Sequence, residues 1–246
     1  MSQRIDLNAD LGEHPNADLD QHIMPYISSC NVACGGHIGD ETSVRQTILL
    51  AKKYGIAVGA HPSYPDRAHF GRKIMQIQPQ QLAESISEQI ALVKRLCSEE
   101  GVDLHHVKPH GALYNHAASE QFISELILNV IIEAAPGAYW MGLAQSESAQ
   151  VAQKEGYPFI SEGFADRKYE SNGSLRSRTK EGAVLNPNEI VQQVEELVIN
   201  QRVFAEDWIQ LEIQSICLHG DTAGAVTLAK EIKHHLGAKG IQIIAV

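Results

Sequence analysis

The chain has no basic surplus, no long apolar run and no paired cysteines. Its 246 residues carry 20 Lys and Arg against 30 Asp and Glu, a formal net charge of −10. A nucleic-acid binder needs a basic face to neutralise phosphates, so that class is set aside. An anionic small-molecule substrate is not excluded, because one pocket can be positive on an acidic protein. No apolar stretch approaches the roughly 18 residues of a membrane span, so no membrane role is expected. The opening Met1-Ser2-Gln3-Arg4-Ile5-Asp6 lacks the basic and apolar regions of a secretory signal. The four cysteines, Cys30, Cys34, Cys97 and Cys217, form no C-x-x-C pair. Neither a zinc finger nor a disulfide framework is expected, and a reduced, cytoplasmic compartment is the simplest setting. The G-x-x-x-x-G-K-[ST], G-x-S-x-G and H-E-x-x-H signatures are also missing. If ATP is used, it is not bound in Walker fashion.

What is present is the composition of a globular protein, 43% hydrophobic and 20% charged. Apolar runs at 4–9, 27–33, 56–60, 104–108, 138–143, 158–164 and 212–218 read as strands, with a last run at 241–245. Helix-period stretches lie between them. Leu82, Ile86, Ile90, Val93 and Leu96 share one helix face, as do Ile190, Val194, Leu197 and Val198. Phe122, Leu126, Ile127, Val130 and Ile131 mark another buried face, and Val226, Ala229, Ile232 and Leu236 a weaker one. Asn186-Pro187-Asn188-Glu189 supplies a cap, a first-turn proline and a glutamate that reaches back. Alternating strands and helices favour parallel pairing with helical crossovers. The expectation is one α/β domain over residues 1–246, a β/α barrel. The irregular stretch 165–186 is long enough to be a functional flap.

Six of these runs end in a polar cluster, which is how a β/α barrel gathers a site at one rim. Asn8 and Asp10 alternate with Leu7 and Ala9, so they project to one side; a turn cap is the plain alternative for Asp10, and Glu13 adds a second acid. His37 sits among Gly35, Gly36 and Gly39 and suits a base or a metal ligand. Asp40 suits a helix cap. His61 stands before Pro62, where a strand must stop. Arg72 offers a planar fork to a carboxylate, while Arg67 reads as a solvated loop charge. Lys108 and His110 close the fourth run, and of the adjacent His105 and His106 at least one is structural. Asp166 and Arg167 open the flap, followed by Tyr169, Arg176 and Arg178, which suits delivery of positive charge to an anion. His219 points at the rim, and Asp221 suits a helix cap. Cys34 and Cys217 read as small buried hydrophobes.

Taken together these clusters resemble the LamB/YcsF family, whose members form the A subunit of ATP-dependent 5-oxoprolinase. The strings are D-L-N-A-D-L-G-E at 6–13, N-V-A-C-G-G-H-I-G-D at 31–40 and G-A-H-P-S-Y-P-D at 59–66. F-G-R at 70–72, V-K-P-H-G-A-L-Y-N at 107–115, E-G-F-A-D-R at 162–167 and C-L-H-G-D-T at 217–222 follow in order. Gly36 stands where the family has a bulkier residue, which bears on pocket shape, and Ala223 replaces a common proline.

The resemblance implies a seven-stranded β/α barrel like those of glycoside hydrolases and polysaccharide deacetylases. It implies hydrolysis of the lactam of 5-oxo-L-proline to L-glutamate, coupled to ATP hydrolysis with Mg²⁺, in a complex with B and C subunits; self-association stays open. The catalytic candidates are Asp10, His61, Lys108, His110, Asp166, Arg167 and His219. Asn8, Asn31, Arg72, Tyr114 and Asp221 are candidates for binding substrate. Lys108, Arg167 and Arg72 would hold phosphate and carboxylate, and Asp10, His37 or His61 would activate water. Should a divalent metal bind, Asp10, His37 and His61 are the expected ligands. Two rival readings remain: a metal-dependent deacetylase acting on a carbohydrate, and a non-catalytic regulatory subunit.

Overall fold

In the first strand, Arg4–Leu11 (β1), Ile5, Leu7, Ala9 and Leu11 alternate with Asp6, Asn8 and Asp10, and every residue after Arg4 is buried. Such a strand needs cover on both faces. A computed structural model, describing residues 3–13, 18–220, 222 and 224–246, shows how it gets it. The strands β2 (Ser29–Ala33), β3 (Ala57–His61), β4 (Leu104–Val107), β5 (Tyr139–Leu143) and β6 (Phe159–Phe164) follow in order. After them come β7 (Arg202–Phe204), β8 (Trp208–Gln210), β9 (Ser215–Cys217) and β10 (Gln242–Ile243). β1 to β6 pair in sequence, all parallel; β9 then pairs with both β6 and β1 and closes a seven-stranded barrel. β10 lies beside the start of β1. The fold is the single-domain β/α barrel expected from the alternation of elements.

Helices α1 (Asp18–Ile23), α2 (Glu41–Tyr54), α3 (Pro79–Glu100), α4 (Gly111–Ser119) and α5 (Gln121–Ala134) surround the barrel, with α6 (Glu147–Lys154), α7 (Pro187–Ile199) and α8 (Ala225–Ala238). The apolar core fills the space between strands and helices, and the α3 stripe Leu82, Ile86, Ile90, Val93 and Leu96 is wholly buried in it. The α5 stripe is shorter than the spacing predicts. Ile127, Val130 and Ile131 are buried, but Phe122 sits in the first turn and is 58% exposed. Asp40 caps α2, accepting from Ser43 N at 2.9 Å. Glu189 accepts from Asn186 N at 3.0 Å ahead of α7.

The barrel lumen is polar, whereas β/α barrels are mostly filled by branched aliphatics. Asp6, Asn8, Asn31, His106, Lys108, Glu162 and Ser215 occupy it, all but hidden from solvent. Buried polar groups are tolerable only when they satisfy one another. Asp6 accepts from Ser28 Oγ at 2.6 Å, from Ser29 Oγ at 2.8 Å and from Ser215 Oγ.

The stretch 165–186 folds on itself rather than hanging loose. Arg167 bridges to Val184 and Tyr169 to Leu175, and Gln193 Nε2 of α7 donates to the carbonyls of Phe164, Ala165 and Arg167 at 2.8–3.1 Å. The hairpin β7–β8 was not foreseen, because three-residue strands are too short to show alternation. Among the described residues no helix is long and apolar enough to cross a membrane.

All four cysteines are buried. Burial pushes the Cys34 and Cys97 thiols up to about 12, and only thiolates react readily. A thiol reagent is therefore expected to modify none of them in the folded protein and all four after denaturation. Rapid labelling of the native chain would show that the packing around them opens.

Candidate active site

Parallel strands place all their C-terminal ends on one rim. Asp10 and His61 end their strands, Lys108 and His110 follow β4, Asp166 and Arg167 follow β6, and His219 follows β9. They meet at a cavity of about 510 Å³ whose walls include Asp10, His61, Lys108, His110, Arg167 and His219. Arg72 and the ring of Tyr114 also line it. That volume suits a small-molecule ligand.

The floor is a charge cluster. Lys108 Nζ lies 2.8 Å from Glu162 Oε1 and 3.1 Å from Asp10 Oδ1, with Asn8 Oδ1 at 3.2 Å and Cys217 Sγ at 3.1 Å. Burial pulls the ammonium pKa down, but Asp10, Cys217 and Glu162 outweigh it and hold the group well above its ordinary value. Burial likewise pushes Asp10 up, while His61 and Lys108 hold it well below the carboxylate range. Lys108 is thus a buried cation already matched by two carboxylates. The expected grip on an incoming phosphate would compete with both of these carboxylates.

Three of the substrate-binding candidates are committed elsewhere. Asn8 Nδ2 donates to Glu162 Oε1 and Ser215 Oγ, both at 2.8 Å, and its oxygen accepts from Asn31 and Lys108. Asn31 Nδ2 donates to Asn8 Oδ1 and Asp10 Oδ1 at 2.8 Å each. Both asparagines are 0% exposed and lie below the cavity. Tyr114 OH donates to Glu162 Oε2 at 2.8 Å, so only its ring faces a ligand. Asp221 lies outside the described residues.

One corner collects acceptors. His61 Nδ1 donates to Lys108 O at 2.7 Å, and His110 Nε2 donates to Phe70 O at 3.0 Å. In the neutral rings this turns the lone pair of His61 Nε2 onto that of His110 Nδ1, 3.0 Å apart. Asp10 Oδ2 lies 3.4 Å from His61 Nε2. Burial first, then the neighbouring His61 and His37, push His110 well down. Three acceptors whose ligand atoms fall within 4.8 Å of one another could hold a cation among them. One carboxylate and two imidazoles, each ring fixed from behind by a carbonyl, fit a divalent metal.

His37 is not part of that group. Its Nε2 faces Glu13 Oε1 at 2.8 Å, and its ring stacks flat on His110 with centroids 3.7 Å apart. The ligand atoms of Asp10, His61 and His110, rather than of the expected Asp10, His37 and His61, lie within reach of one ion, and His37 groups instead with Glu13 and His110. Gly36 does not shape the pocket either: a Cβ there would run into Gln89 and Ser63, which hydrogen-bond each other behind the site.

The opposite wall is built for protons and anions. His219 Nδ1 lies 2.9 and 3.1 Å from the two oxygens of Asp166, which also accepts from Thr222 Oγ1. That leaves Nε2 without a hydrogen-bond partner among the described residues, on a ring lining the cavity. Burial raises Asp166, but His219 and Thr222 outweigh it and lower the carboxyl. Beside it, Arg167 donates Nη2 to Arg176 O at 2.5 Å and Nε to Ala183 O at 3.3 Å. Burial, and next the Arg178 charge, push its guanidinium down to about 10. Two guanidinium groups held close together favour an anion between them.

Glu162 and His106 were not singled out as site residues. The signal for Glu162 was there: a carboxylate inside the run 158–164, in phase with Phe164.

The LamB/YcsF family model matches residues 5–246. The chain is 42% identical to the 5-oxoprolinase A subunit of Histophilus somni, covering 98% of each chain. It is 39% identical to that of Bacillus subtilis, over 99% of this chain and 97% of the other. For Pyrococcus furiosus the identity is 38%, over 98% and 97%. Among solved structures, a lactam utilization protein from Thermus thermophilus superposes with a TM-score of 0.91 at 32% identity, over 99% of this chain and 100% of that one. The peptidoglycan deacetylase PdaC of Bacillus subtilis reaches 0.51 at 14% identity, over 100% and 88%, which is a likeness of fold alone.

Proposed function

The chain belongs to the LamB/YcsF family, and on that premise we propose that it is the A subunit of a 5-oxoprolinase. The reaction is ATP-dependent opening of 5-oxo-L-proline to L-glutamate, ADP and phosphate, carried out with partner B and C subunits and Mg²⁺ as the nucleotide's counter-ion. The observation that carries this reading is full-length identity of 38–42% to 5-oxoprolinase A subunits from distant organisms. The rim agrees with it, because six of the seven matching strings supply residues to one cavity.

A lactam is a poor electrophile, and glutamate re-closes. Phosphorylation of the lactam oxygen by ATP, which releases ADP, opens the ring carbon to water; the adduct expels the ring nitrogen to leave an acyl phosphate, and a second water hydrolyses that to glutamate and phosphate. The nitrogen needs a proton as it leaves, and His219, oriented by Asp166, is the side chain placed to supply it. Arg167 and Arg178 offer the positive wall for the substrate carboxylate or the phosphoryl group. A carboxylate held as far down as Asp10 is a weak base. That favours a ligand or orienting role for it over water activation. A divalent metal held by Asp10, His61 and His110 would polarise the lactam oxygen or a bound water. The four free, buried cysteines accord with a reducing cytoplasm.

The reading is tested by mixing this chain with its partner subunits, ATP, Mg²⁺ and 5-oxo-L-proline. Glutamate and ADP in equal amounts support it. Absence of glutamate, or acetate release from an acetylated sugar without ATP, discards it.

The metal assignment has its own check. Zinc or manganese at about 100 times its Kd should raise stability by about 2.7 kcal/mol, seen as a higher melting temperature. His110→Ala should abolish that shift and His37→Ala should not. An equal loss in both variants would contradict the ligand set.

A further inference from the structure

Below the site, the lumen holds His106, with the part-buried His105 beside it, and ring opening uses neither. His106 is fully buried against Gly59, where a Cβ would run into its ring. Its Nε2 is 2.7 Å from Asn31 Oδ1. The orientation of Asn31 is dictated, because its amide nitrogen faces the Asp10 carboxylate, which only accepts. Asn31 Oδ1 is therefore the acceptor, and His106 Nε2 carries a hydrogen. On its other side His106 Nδ1 faces His105 Nδ1 at 3.0 Å, and His105 Nε2 is 3.0 Å from Val246 O. That main-chain oxygen also only accepts, so His105 Nε2 carries a hydrogen too. Two neutral rings placed this way would oppose lone pair to lone pair. The pair must hold one proton beyond neutrality, and it belongs on His105, the less buried of the two.

We propose that His105, His106 and Asn31 form a one-way chain of donors that orients and polarises Asp10 from the closed end of the barrel. Each hydrogen points toward the site: His105 Nδ1 donates to His106, His106 Nε2 to Asn31, and Asn31 Nδ2 to Asp10. Donors aligned in series strengthen one another, and here a cation heads the series. Asn31 thus holds Oδ1 of Asp10 together with Lys108, leaving Oδ2 toward His61. His106 is a positioning residue, acting on Asp10 only through Asn31. Its functional meaning rests on the proposed role of Asp10; the hydrogen-bond pattern does not.

The test is nitrogen NMR of the histidine-labelled full chain, with His106→Phe and His106→Gln compared for zinc affinity and for the Asn31 side-chain amide signals. His106 should be a neutral ring protonated on Nε2, and His105 protonated on both nitrogens. His106→Phe should speed exchange of the Asn31 amide hydrogens and weaken zinc binding about tenfold or more. His106→Gln, which keeps an N–H at that end, should restore most of both. A hydrogen on His106 Nδ1 with none on Nε2 would overturn the chain, as would an Asn31 signal indifferent to His106→Phe. Should the wild type bind no zinc, the metal reading fails, and the histidine and Asn31 signals alone decide the chain. If His106→Phe does not fold, the wild-type tautomers decide it.

Discussion

Replacing Asp10 by asparagine should lower glutamate formation by the assembled enzyme by about 10²- to 10³-fold, while the complex still assembles. Asparagine keeps the shape and can still accept from Asn31. It loses the negative charge that faces Lys108 at 3.1 Å and His61 at 3.4 Å. The acceptor corner then lacks its anion, and the divalent metal proposed for it would lose its one charged ligand. Steady-state glutamate production, with complex assembly followed by size-exclusion chromatography, gives the answer. Unchanged turnover would favour the reading of this chain as a regulatory component, in which the rim does no chemistry.

Lys108→Met should destabilise the folded chain by about 3–5 kcal/mol, the usual cost of removing one member of a buried ion pair. The lysine is 2% exposed and Glu162 is fully buried, so no water replaces the lost charge. Glu162 and Asp10 would be left as neighbouring carboxylates in a closed lumen. The cost should fall when Glu162→Gln is added, because one of the stranded charges is then gone. Urea denaturation of the two single variants and the double variant measures this coupling. Additive losses would mean that Lys108 and Glu162 do not depend on each other.

Much of the rim was legible because barrel strands end abruptly. Runs such as Val107-Lys108-Pro109-His110 stop where apolar residues give way to proline and charge, and the structure puts those residues on the cavity wall. The long α3 stripe was readable for the same reason: its period repeats from Leu82 to Leu96, about four turns. Burial of Asn8 and Asn31 beneath the site was not readable, since which residues face a lumen depends on how the barrel closes. The choice between His37 and His110 depends on ring orientation, set by the carbonyl of Phe70 and the carboxylate of Glu13. Neither partner is adjacent in sequence to the histidine it orients. The sequence marks at least one of His105 and His106 as structural without saying which, and the reach of His106 through Asn31 to Asp10 spans three strands and leaves no local pattern.

The measurement that bears most directly on this account is a crystal structure of the assembled enzyme with 5-oxo-L-proline bound. The lactam ring should lie in the rim cavity of this chain, between the Asp10–His61–His110 corner and the wall formed by Arg167, Arg178 and His219. Density for the ring in a partner chain, or in the hollow beside Trp208 and Lys168, with the rim cavity empty, would contradict it.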